Sequence, residues 1–515
     1  MVDRLWFLIP EFILLAGAMV CALGGISNIA AIRRRVGFIA SIFLVIALVS
    51  VPYVYGQSDR VHEEAMLPEL GYYVKMMVAF VGLLLIATMG GLIDRGYERD
   101  IGAGKDRFDA LRASSGEFHA LLLLSLTGVM LICEARDLIW LFLALELVSL
   151  PTYVMVAMSR WSRTAQEAAM KYFFLGALSA ALMLYGFALL YASAGTLVLQ
   201  EMTDIFALQQ LSGGLSTLAQ IGMLLAIFGL LYKVAAAPMH LYAPDVYQGA
   251  ASAVTAFLAF VPKTAGIIAL IILLSTFGWE DGLPASIEMA LWVVAVLTMI
   301  LGNIGALLQR SAKRMLGYSS IAHSGYMLIG VIAGPELGLQ AVLVYLFIYG
   351  VTNTAAFATL ASLSRAEKSI DSLEDLAGLY KTSPLAAASM SVACGSLLGV
   401  PPLIGFWGKL LLFAAGIAAG QLSLIIVAAV TSAISAWYYL RLIGLALLSS
   451  PQNHGDLTKV TLRWPLAVAV IGACIAIGGP VILEKTMENA KGALQIEEVE
   501  VVIPSVSPER VDERV

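Results

Sequence analysis

The chain has 515 residues, of which 60% are hydrophobic and 13% are charged, and its formal net charge at pH 7 is −5. Its mean hydropathy of +0.87 leaves too little polar surface for a soluble globular protein, so the composition predicts a polytopic membrane protein. The small acidic excess is spread over short loops, which excludes a nucleic-acid-binding surface and leaves the lipid bilayer as the expected surroundings.

Fourteen apolar stretches reach the length of about 18 residues or more that a helix needs to cross the hydrocarbon core. In chain order they cover 5–25, 36–56, 72–93, 116–133, 138–158, 170–194, 216–247, 251–275, 287–309, 316–334, 338–363, 384–415, 420–448 and 462–484. We therefore predict an all-α polytopic membrane protein with about 14 transmembrane helices. The first stretch lacks a small-residue cleavage site and is expected to be a retained helix.

Basic residues concentrate in the loops that follow odd-numbered stretches, as in Arg310, Lys313 and Arg314. Loops on the opposite side are acidic, as in Glu63-Glu64. The positive-inside rule then predicts that both termini lie on the non-cytoplasmic side, in agreement with an even number of spans.

Two stretches are too long for a single crossing and contain prolines in their interiors. Pro238 lies within 216–247, and Pro401 and Pro402 lie within 384–415. Proline removes a backbone hydrogen bond, so we predict broken helices in spans 7 and 12, which membrane proteins tolerate where they are buried or line a hydrated cavity. Paired broken helices in the two halves of a transporter indicate its ion site.

The two broken spans are five spans apart, and an odd offset reverses the direction in which the chain crosses the membrane. Spans 4–8 and 9–13 are therefore predicted to form two inverted five-helix repeats. The predicted organisation is 1–112 for helices 1–3, 113–275 for the first repeat, 287–449 for the second, 450–484 for helix 14 and 485–515 for a polar non-cytoplasmic tail.

Six basic residues fall inside apolar stretches, and a charge at bilayer depth usually marks an ion or proton path. They are Lys75, Lys171, Lys233, Lys263, Lys409 and Arg441. Glu146 is identified as the acid deep within a span, and an opposite charge is expected beside it. We predict that it pairs with Lys233, either as a static packing pair or as a pair that holds the lysine ready to exchange a proton.

The other ionisable residues within the spans are interpreted from their positions along each predicted helix. Lys263 lies at the centre of its span, too far from either end to extend its ammonium to water, and is predicted to relay protons. Lys409 follows the second break without an acid in its own span and is predicted to be the terminal exchanger. His323 is either a neutral relay between these two lysines or a satisfied core histidine. Lys171, near a span start, is either a relay residue or an interfacial one.

Three further charges are expected at the membrane interface. Lys75 and Arg441 are predicted to extend their side chains toward water, and Glu11 is predicted to be interfacial.

The sequence gives no sign of a bound cofactor or metal. The four cysteines are widely separated and form no C-x-x-C pair, so we expect buried small residues and not iron–sulfur or zinc ligands. Gly104-Lys105 lacks the flanking residues of a phosphate-binding loop.

Several long motifs resemble the antiporter-like subunits of respiratory complex I, the proton-translocating NADH:quinone oxidoreductase. The motifs are KVAAAPMHLYAPDVYQGA at 233–250, LEL at 145–147, KYF at 171–173, KRMLGYSSIAH at 313–323 and PPLIGFWGK at 401–409. The resemblance covers roughly residues 5–450. It implies fourteen helices with inverted five-helix repeats and a proton path from Glu146 and Lys233 through Lys263 and His323 to Lys409.

Within that family, one of three homologous subunits carries glutamate at the position of Lys409, and the longest adds a lateral helix after the common core. The resemblance is therefore to the remaining one, and SAWYYLR at 435–441 agrees with it. It implies that this chain is a subunit of a translocase in the bacterial inner membrane without a redox centre of its own. Flavin, iron–sulfur clusters and quinone are implied in partner subunits, and a neighbouring antiporter-like subunit and small membrane subunits are the implied contacts.

Two alternatives stay open on the sequence. One of the large membrane subunits of a multisubunit sodium/proton antiporter shares most of these motifs. A non-pumping scaffold subunit of the membrane arm carries such charges as structural elements.

Overall fold

The fold is seen in a computed structural model that describes residues 2–56, 67, 70–89, 94–109, 114–160, 162–279, 282–365, 368–450, 458–479, 481 and 483. The polar tail predicted for 485–515 and the acidic pair Glu63-Glu64 lie outside the described residues. The described part is almost entirely helical, and the predicted all-α fold is confirmed.

The described N-terminal residues form three long helices and three short ones. They are α1 (Val2–Phe7), α2 (Ile9–Gly25), α3 (Ala30–Arg33), α4 (Val36–Tyr55), α5 (Leu70–Met89) and α6 (Arg95–Gly102). Pro10 near the start of α2 is compatible with a helix there, because the first turn has no intrahelical partner for its N–H.

The next group of helices corresponds to the first predicted repeat. It consists of α7 (Ser115–Ile132), α8 (Leu138–Met158), α9 (Arg163–Ala194), α10 (Leu199–Leu211), α11 (Thr217–Val234), α12 (Ala243–Gly249) and α13 (Ser252–Ser275). Helix α8 begins where the Asp137 side chain accepts a hydrogen bond of 2.7 Å from the backbone N–H of Trp140, a cap that satisfies one of the free donors of the first turn.

The last group corresponds to the second repeat and the final span. Its helices are α14 (Ala285–Leu307), α15 (Ala312–Ile332), a π-helical turn (Pro335–Leu339), α16 (Gln340–Ser362), a 3-10 turn (Leu373–Leu376), α17 (Leu379–Thr382), α18 (Pro384–Leu398), α19 (Ile404–Ala418), α20 (Leu422–Leu447) and α21 (Arg463–Ile477). Three short strands, β1 (Leu363–Arg365), β2 (Lys368–Ser369) and β3 (Lys459–Val460), form an antiparallel sheet in the order β2-β1-β3. The sequence did not predict this sheet, because strands of two or three residues carry no readable alternation.

Every predicted apolar stretch coincides with a described helix or pair of helices. Among the described residues, ten helices are long and apolar enough to cross a membrane. Four shorter apolar helices accompany them, namely Ile9–Gly25, Pro384–Leu398, Ile404–Ala418 and Arg463–Ile477. The count of fourteen spans stays a prediction.

The two groups of helices pack in the same pattern. Helix α7 contacts α8 and α13 as α14 contacts α15 and α20, and α11 contacts α9 and α13 as α18 contacts α16 and α20. This agreement is what a five-helix repeat requires, and the inverted orientation of the repeats in a membrane stays a prediction.

Helices α13 and α16 pack against each other at the centre of the bundle, and every residue of α13 is buried apart from Ser275 at its end. Helix α5 packs against α7, α13, α16 and α21 and so touches both groups. Polar side chains that project from these helices therefore meet in a region screened from lipid.

Candidate functional site

The first break separates α11 from α12 and lies at Pro238, as predicted. Helix α11 ends at Val234, and Ala235 takes up a left-handed conformation with a φ of 58°. Ser324 donates a hydrogen bond of 2.6 Å to the carbonyl of Val234, and Ala237 N–H donates one of 2.9 Å to Thr298 Oγ1. The backbone groups freed by the break thus find partners on α14 and α15, which holds the broken ends in place.

Lys233 lies in the last turn of α11, directly before the break, and forms the predicted pair with Glu146 of α8. Its Nζ is 3.0 Å from Glu146 Oε1, and the two side chains are 3% and 18% exposed, respectively. Lys233 also donates a hydrogen bond to Ser149, which lies one turn after Glu146 on the same helix face. The predicted charge pair is therefore present, with a hydroxyl as a second acceptor.

Lys263 of α13 has neutral partners. Its Nζ donates hydrogen bonds of 2.5 Å to the carbonyl of Ser320 and 2.9 Å to the Ser320 hydroxyl, and it lies 4.6 Å from the ring centroid of Tyr349. The same hydroxyl accepts from Tyr349 at 2.7 Å and lies 3.1 Å from the Tyr247 hydroxyl. A serine hydroxyl offers one donor and two acceptor sites, so these three contacts saturate it.

His323 lies one turn after Ser320 on α15 and is held between two phenols. Its Nδ1 is 2.6 Å from the Tyr345 hydroxyl, and its Nε2 is 3.1 Å from the Tyr439 hydroxyl. Tyr439 in turn shares a hydrogen bond with Ser319. A neutral imidazole donates at one nitrogen and accepts at the other. If it takes up a proton at the accepting nitrogen and releases one from the donating nitrogen, a proton has in effect passed across the ring.

The second break separates α18 from α19, and Lys409 lies just after it. Helix α18 ends at Leu398, and Gly399 has a φ of 91° that suits glycine. Lys409 donates hydrogen bonds of 2.8 Å to the carbonyl of Leu398 and 3.1 Å to Ser432. The carboxyl end of a helix carries partial negative charge, so the broken end of α18 supplies the counter-charge that a carboxylate supplies to Lys233.

These groups form one buried row across the two repeats. Fractional exposures are 4% for Lys233, 2% for Lys263, 2% for His323 and 6% for Lys409. The His323 ring centroid is 5.2 Å from that of Tyr349 and 5.8 Å from that of Tyr326, and Lys409 Nζ is 5.1 Å from the Tyr326 centroid. The row from Lys263 to Lys409 is thus continuous through aromatic rings, whereas no hydrogen bond among the described residues joins Lys233 to Lys263.

Lys171 lies outside this row. Its side chain is 43% exposed and pairs with Glu167 and Asp245, both at 2.7 Å. Asp245 also pairs with Arg314 at 2.5 Å. The structure thus assigns Lys171 to a half-exposed charged cluster, and no described contact links its ammonium to Lys233.

Two interfacial predictions are wrong. Lys75 and Glu11 are 0% and 1% exposed, and the Lys75 ammonium lies 2.8 Å from Glu11 Oε1 and 2.7 Å from Glu134 Oε1. A long side chain reaches for water where water is the nearest partner. Here two carboxylates are nearer. Among the described residues, Glu11 and Glu134 are both more deeply buried than Glu146, which is 18% exposed.

The assignment of Lys313 to a loop is also wrong. Helix α15 begins at Ala312, and Lys313 is fully buried. Its ammonium donates hydrogen bonds of 2.7 Å to the carbonyl of Gln248 and 2.9 Å to that of Ala250. The last carbonyls of α12 have no intrahelical donor, and Lys313 satisfies them.

Comparison with known proteins gives the family. The family described as "NADH:quinone oxidoreductase/Mrp antiporter, TM" matches residues 135–435. NADH-quinone oxidoreductase subunit N of Trichlorobacter lovleyi is 39% identical over 387 residues, which cover 74% of this chain and 77% of that protein. Subunit N 1 of Rhizobium meliloti is 34% identical over 475 residues, which cover 92% of this chain and 94% of that protein.

Solved structures agree. A chain of respiratory complex I from Thermus thermophilus, solved with bound aureothin, superposes with a TM-score of 0.74 and 31% identity over 93% of this chain and 99% of that one. A chain of the Mrp complex from a Dietzia species superposes with a TM-score of 0.77 over 96% and 98%, but at 21% identity this likeness shows the fold alone. The family expected from the sequence motifs is confirmed, and this chain belongs to the NADH-quinone oxidoreductase subunit N family.

Proposed function

We propose that this chain carries protons across an energy-transducing membrane as a membrane-arm subunit of an NADH:quinone oxidoreductase. The observation that carries the proposal is the buried row formed by Lys233, Lys263, His323 and Lys409, with Glu146 paired to Lys233. The row runs from one helix break to the other. Membrane proteins rarely retain ionisable groups at such depth without a transport function. Resemblance in sequence to proteins named subunit N supports the same function.

Lys263 and Lys409 are suited to exchange protons because their partners are neutral. Within the described part of the chain, neither ammonium has a carboxylate within 4.0 Å. A buried ammonium without a full opposite charge beside it is costly, even where the end of a helix offers a partial one as for Lys409. The free energy needed to release its proton is therefore small. Hydroxyls and His323, which each offer both a donor and an acceptor, accept and return the proton along the way.

Lys233 is different, because Glu146 stabilises its charged form. We infer that the pair acts as a switch: the proton stays on Lys233 while Glu146 faces it, and leaves when the carboxylate is neutralised or moves away. No described hydrogen bond spans the interval from Lys233 to Lys263, so the transfer between them needs an intervening water. Lys171 lies near the start of span 6 and Asp245 near the end of span 7, both on the side predicted to face the cytoplasm. We assign to this pair the collection of protons there.

The energy for transport comes, in this proposal, from quinone reduction in partner subunits. Flavin, iron–sulfur clusters and quinone are bound by those partners, and a neighbouring antiporter-like subunit and small membrane subunits adjoin this chain in the membrane. Both termini face the non-cytoplasmic side.

Lys233→Ala in the assembled complex tests the function. We expect proton uptake into membrane vesicles during NADH oxidation to fall strongly, while NADH oxidation by an artificial acceptor continues, because the electron path lies in other subunits. Lys381→Ala is the matched control, since Lys381 is an exposed lysine at the end of α17. If the Lys233 variant assembles and pumps like wild type, the chain is a scaffold and the proposal is wrong.

A further inference from the structure

A second buried ionic cluster lies apart from the row, where the N-terminal helices meet the first repeat. We call Glu11, Tyr55, Lys75 and Glu134 the Lys75 cluster. Its members come from α2, α4, α5 and the turn between α7 and α8. The side chains of Glu11, Lys75 and Glu134 are 1%, 0% and 5% exposed, so the cluster is as deeply buried as the row itself.

Lys75 is a fixed cation in this cluster. Its Nζ lies 2.8 Å from Glu11 Oε1, 2.7 Å from Glu134 Oε1 and 2.7 Å from the carbonyl of Phe7. An ammonium has three N–H groups and no acceptor site. Three oxygens around it match the charged form, so Lys75 is not the group that exchanges a proton here.

The two carboxylates differ in how many donors they face. Glu134 Oε1 receives the Lys75 ammonium and also the Tyr55 hydroxyl at 3.2 Å. Glu11 faces Lys75 through Oε1, and its Oε2 has no hydrogen-bond partner within the part of the chain that the structure describes. A buried ionised oxygen without a donor is costly, and two neighbouring carboxylates resist being ionised together.

The titratable groups that face Glu11 from the helices around it are few among the described residues. Lys75 comes from α5, Glu134 from the turn after α7, Tyr55 from α4 and the thiol of Cys133 from the end of α7. Of these, Lys75 alone carries a positive charge, and it is shared with Glu134. The open position for a proton is therefore Glu11 Oε2.

We propose that the Lys75 cluster is a second proton-binding site of this chain and that Glu11 is the group that takes and releases the proton. On uptake, a hydronium ion transfers its proton to Oε2 of the carboxylate and leaves as water, and nothing is oxidised or reduced. Glu134 lies in the turn that leads into α8, the helix that carries Glu146, so the cluster adjoins the first repeat. A part in transport rests on the proposed function, whereas proton binding does not.

Infrared difference spectroscopy of the assembled complex tests the site directly. Subtracting the Glu11→Gln spectrum from that of wild type should reveal a carbonyl band of a protonated carboxyl group that shifts in D2O. Glu11→Asp should restore such a band at a shifted frequency. Lys75→Met removes the ammonium that faces Glu11 and should strengthen the Glu11 band, because the ionised form of this carboxyl group then loses its nearest positive charge.

The control is Glu117→Gln, the same change at an exposed glutamate in the first turn of α7, which should leave the Glu11 band in place. If Glu11→Gln fails to assemble, the Glu11→Asp and Lys75→Met spectra decide. The absence of any protonated-carboxyl change in these variants across the pH range in which the complex is intact would show a static ion cluster and overturn the proposal. Proton uptake by Lys233→Ala tests the proposed function separately and leaves the infrared result unaffected.

Discussion

Replacing Glu146 with glutamine tests whether a carboxylate on α8 holds the proton on Lys233. The change keeps the shape of the side chain and removes a charge that lies 3.0 Å from the Lys233 ammonium. Breaking a buried ion pair by removing one partner costs about 3 to 5 kcal/mol. Glu146 keeps 18% exposure and Lys233 keeps Ser149 as an acceptor, so we expect a smaller cost of about 2 to 3 kcal/mol, or roughly 30- to 150-fold in the occupancy of the charged state.

The assay is proton uptake into membrane vesicles, followed with an acid-sensitive dye during NADH oxidation, with oxidation by an artificial acceptor measured in parallel. Glu146→Gln should lose most of the uptake, because Lys233 no longer holds its proton between transfers. Glu146→Asp keeps the charge one methylene further away and should retain part of the uptake. Full uptake in the assembled Gln variant would refute the switch that we assign to this pair.

Three further predictions address other parts of the chain. Ser320→Ala leaves the Tyr349 and Tyr247 hydroxyls without their shared partner, at a cost of about 1 to 3 kcal/mol for each unpaired group. The number of protons moved per NADH should therefore fall in this variant, whereas Ser320→Thr keeps the hydroxyl and should keep that number. The same number in both variants would contradict this. Lys409→Ala should cripple uptake, because Ser432 and the end of α18 then face no titratable group; wild-type uptake would exclude Lys409 from the path. A tag at Val515 should be reached by an impermeant label from the non-cytoplasmic side alone, and cytoplasmic labelling would overturn the predicted orientation.

The sequence predicted the row because charges in apolar stretches are expensive and therefore conspicuous. Glu146, Lys233, Lys263 and Lys409 each interrupt a run of apolar residues, and both breaks follow from prolines that cannot continue a helix. The pair of Lys233 with Glu146 was predicted, but the neutral partners of Lys263 and Lys409 could not be, since they come from other helices and carry no charge that marks them in the sequence. Spacing did hold a usable signal, because Ser149 follows Glu146 by three residues and must share its helix face.

The interfacial residues were the weak part of the prediction. Lys75 and Glu11 lie near the ends of their spans, where a side chain that extends to water and one that pairs inside the protein look alike in sequence. Glu134 follows the fourth span and is therefore predicted on the same side of the membrane as Lys75 and Glu11. This shared side was the one sign in the sequence that the three residues could meet. Helix packing determines which of the two occurs. Helix α5 packs against helices of both repeats, and Lys75 is fully buried there.

The two broken helices stabilise their lysines by different means, and this difference predicts different tolerance to substitution. Lys233 relies on the carboxylate of Glu146, whereas Lys409 relies on the carbonyl of Leu398 and the hydroxyl of Ser432. A glutamate at position 409 would face the negative end of α18, so its ionised form is disfavoured there, but its protonated form can donate to the Leu398 carbonyl. Lys409→Glu should therefore keep a measurable fraction of proton uptake, whereas Lys233→Glu would put a second carboxylate against Glu146 and should abolish it. Uptake measured on both variants, with assembly verified, checks the comparison: equal and complete loss in both would mean that the positive charge, and not a titratable group, is what the second break requires.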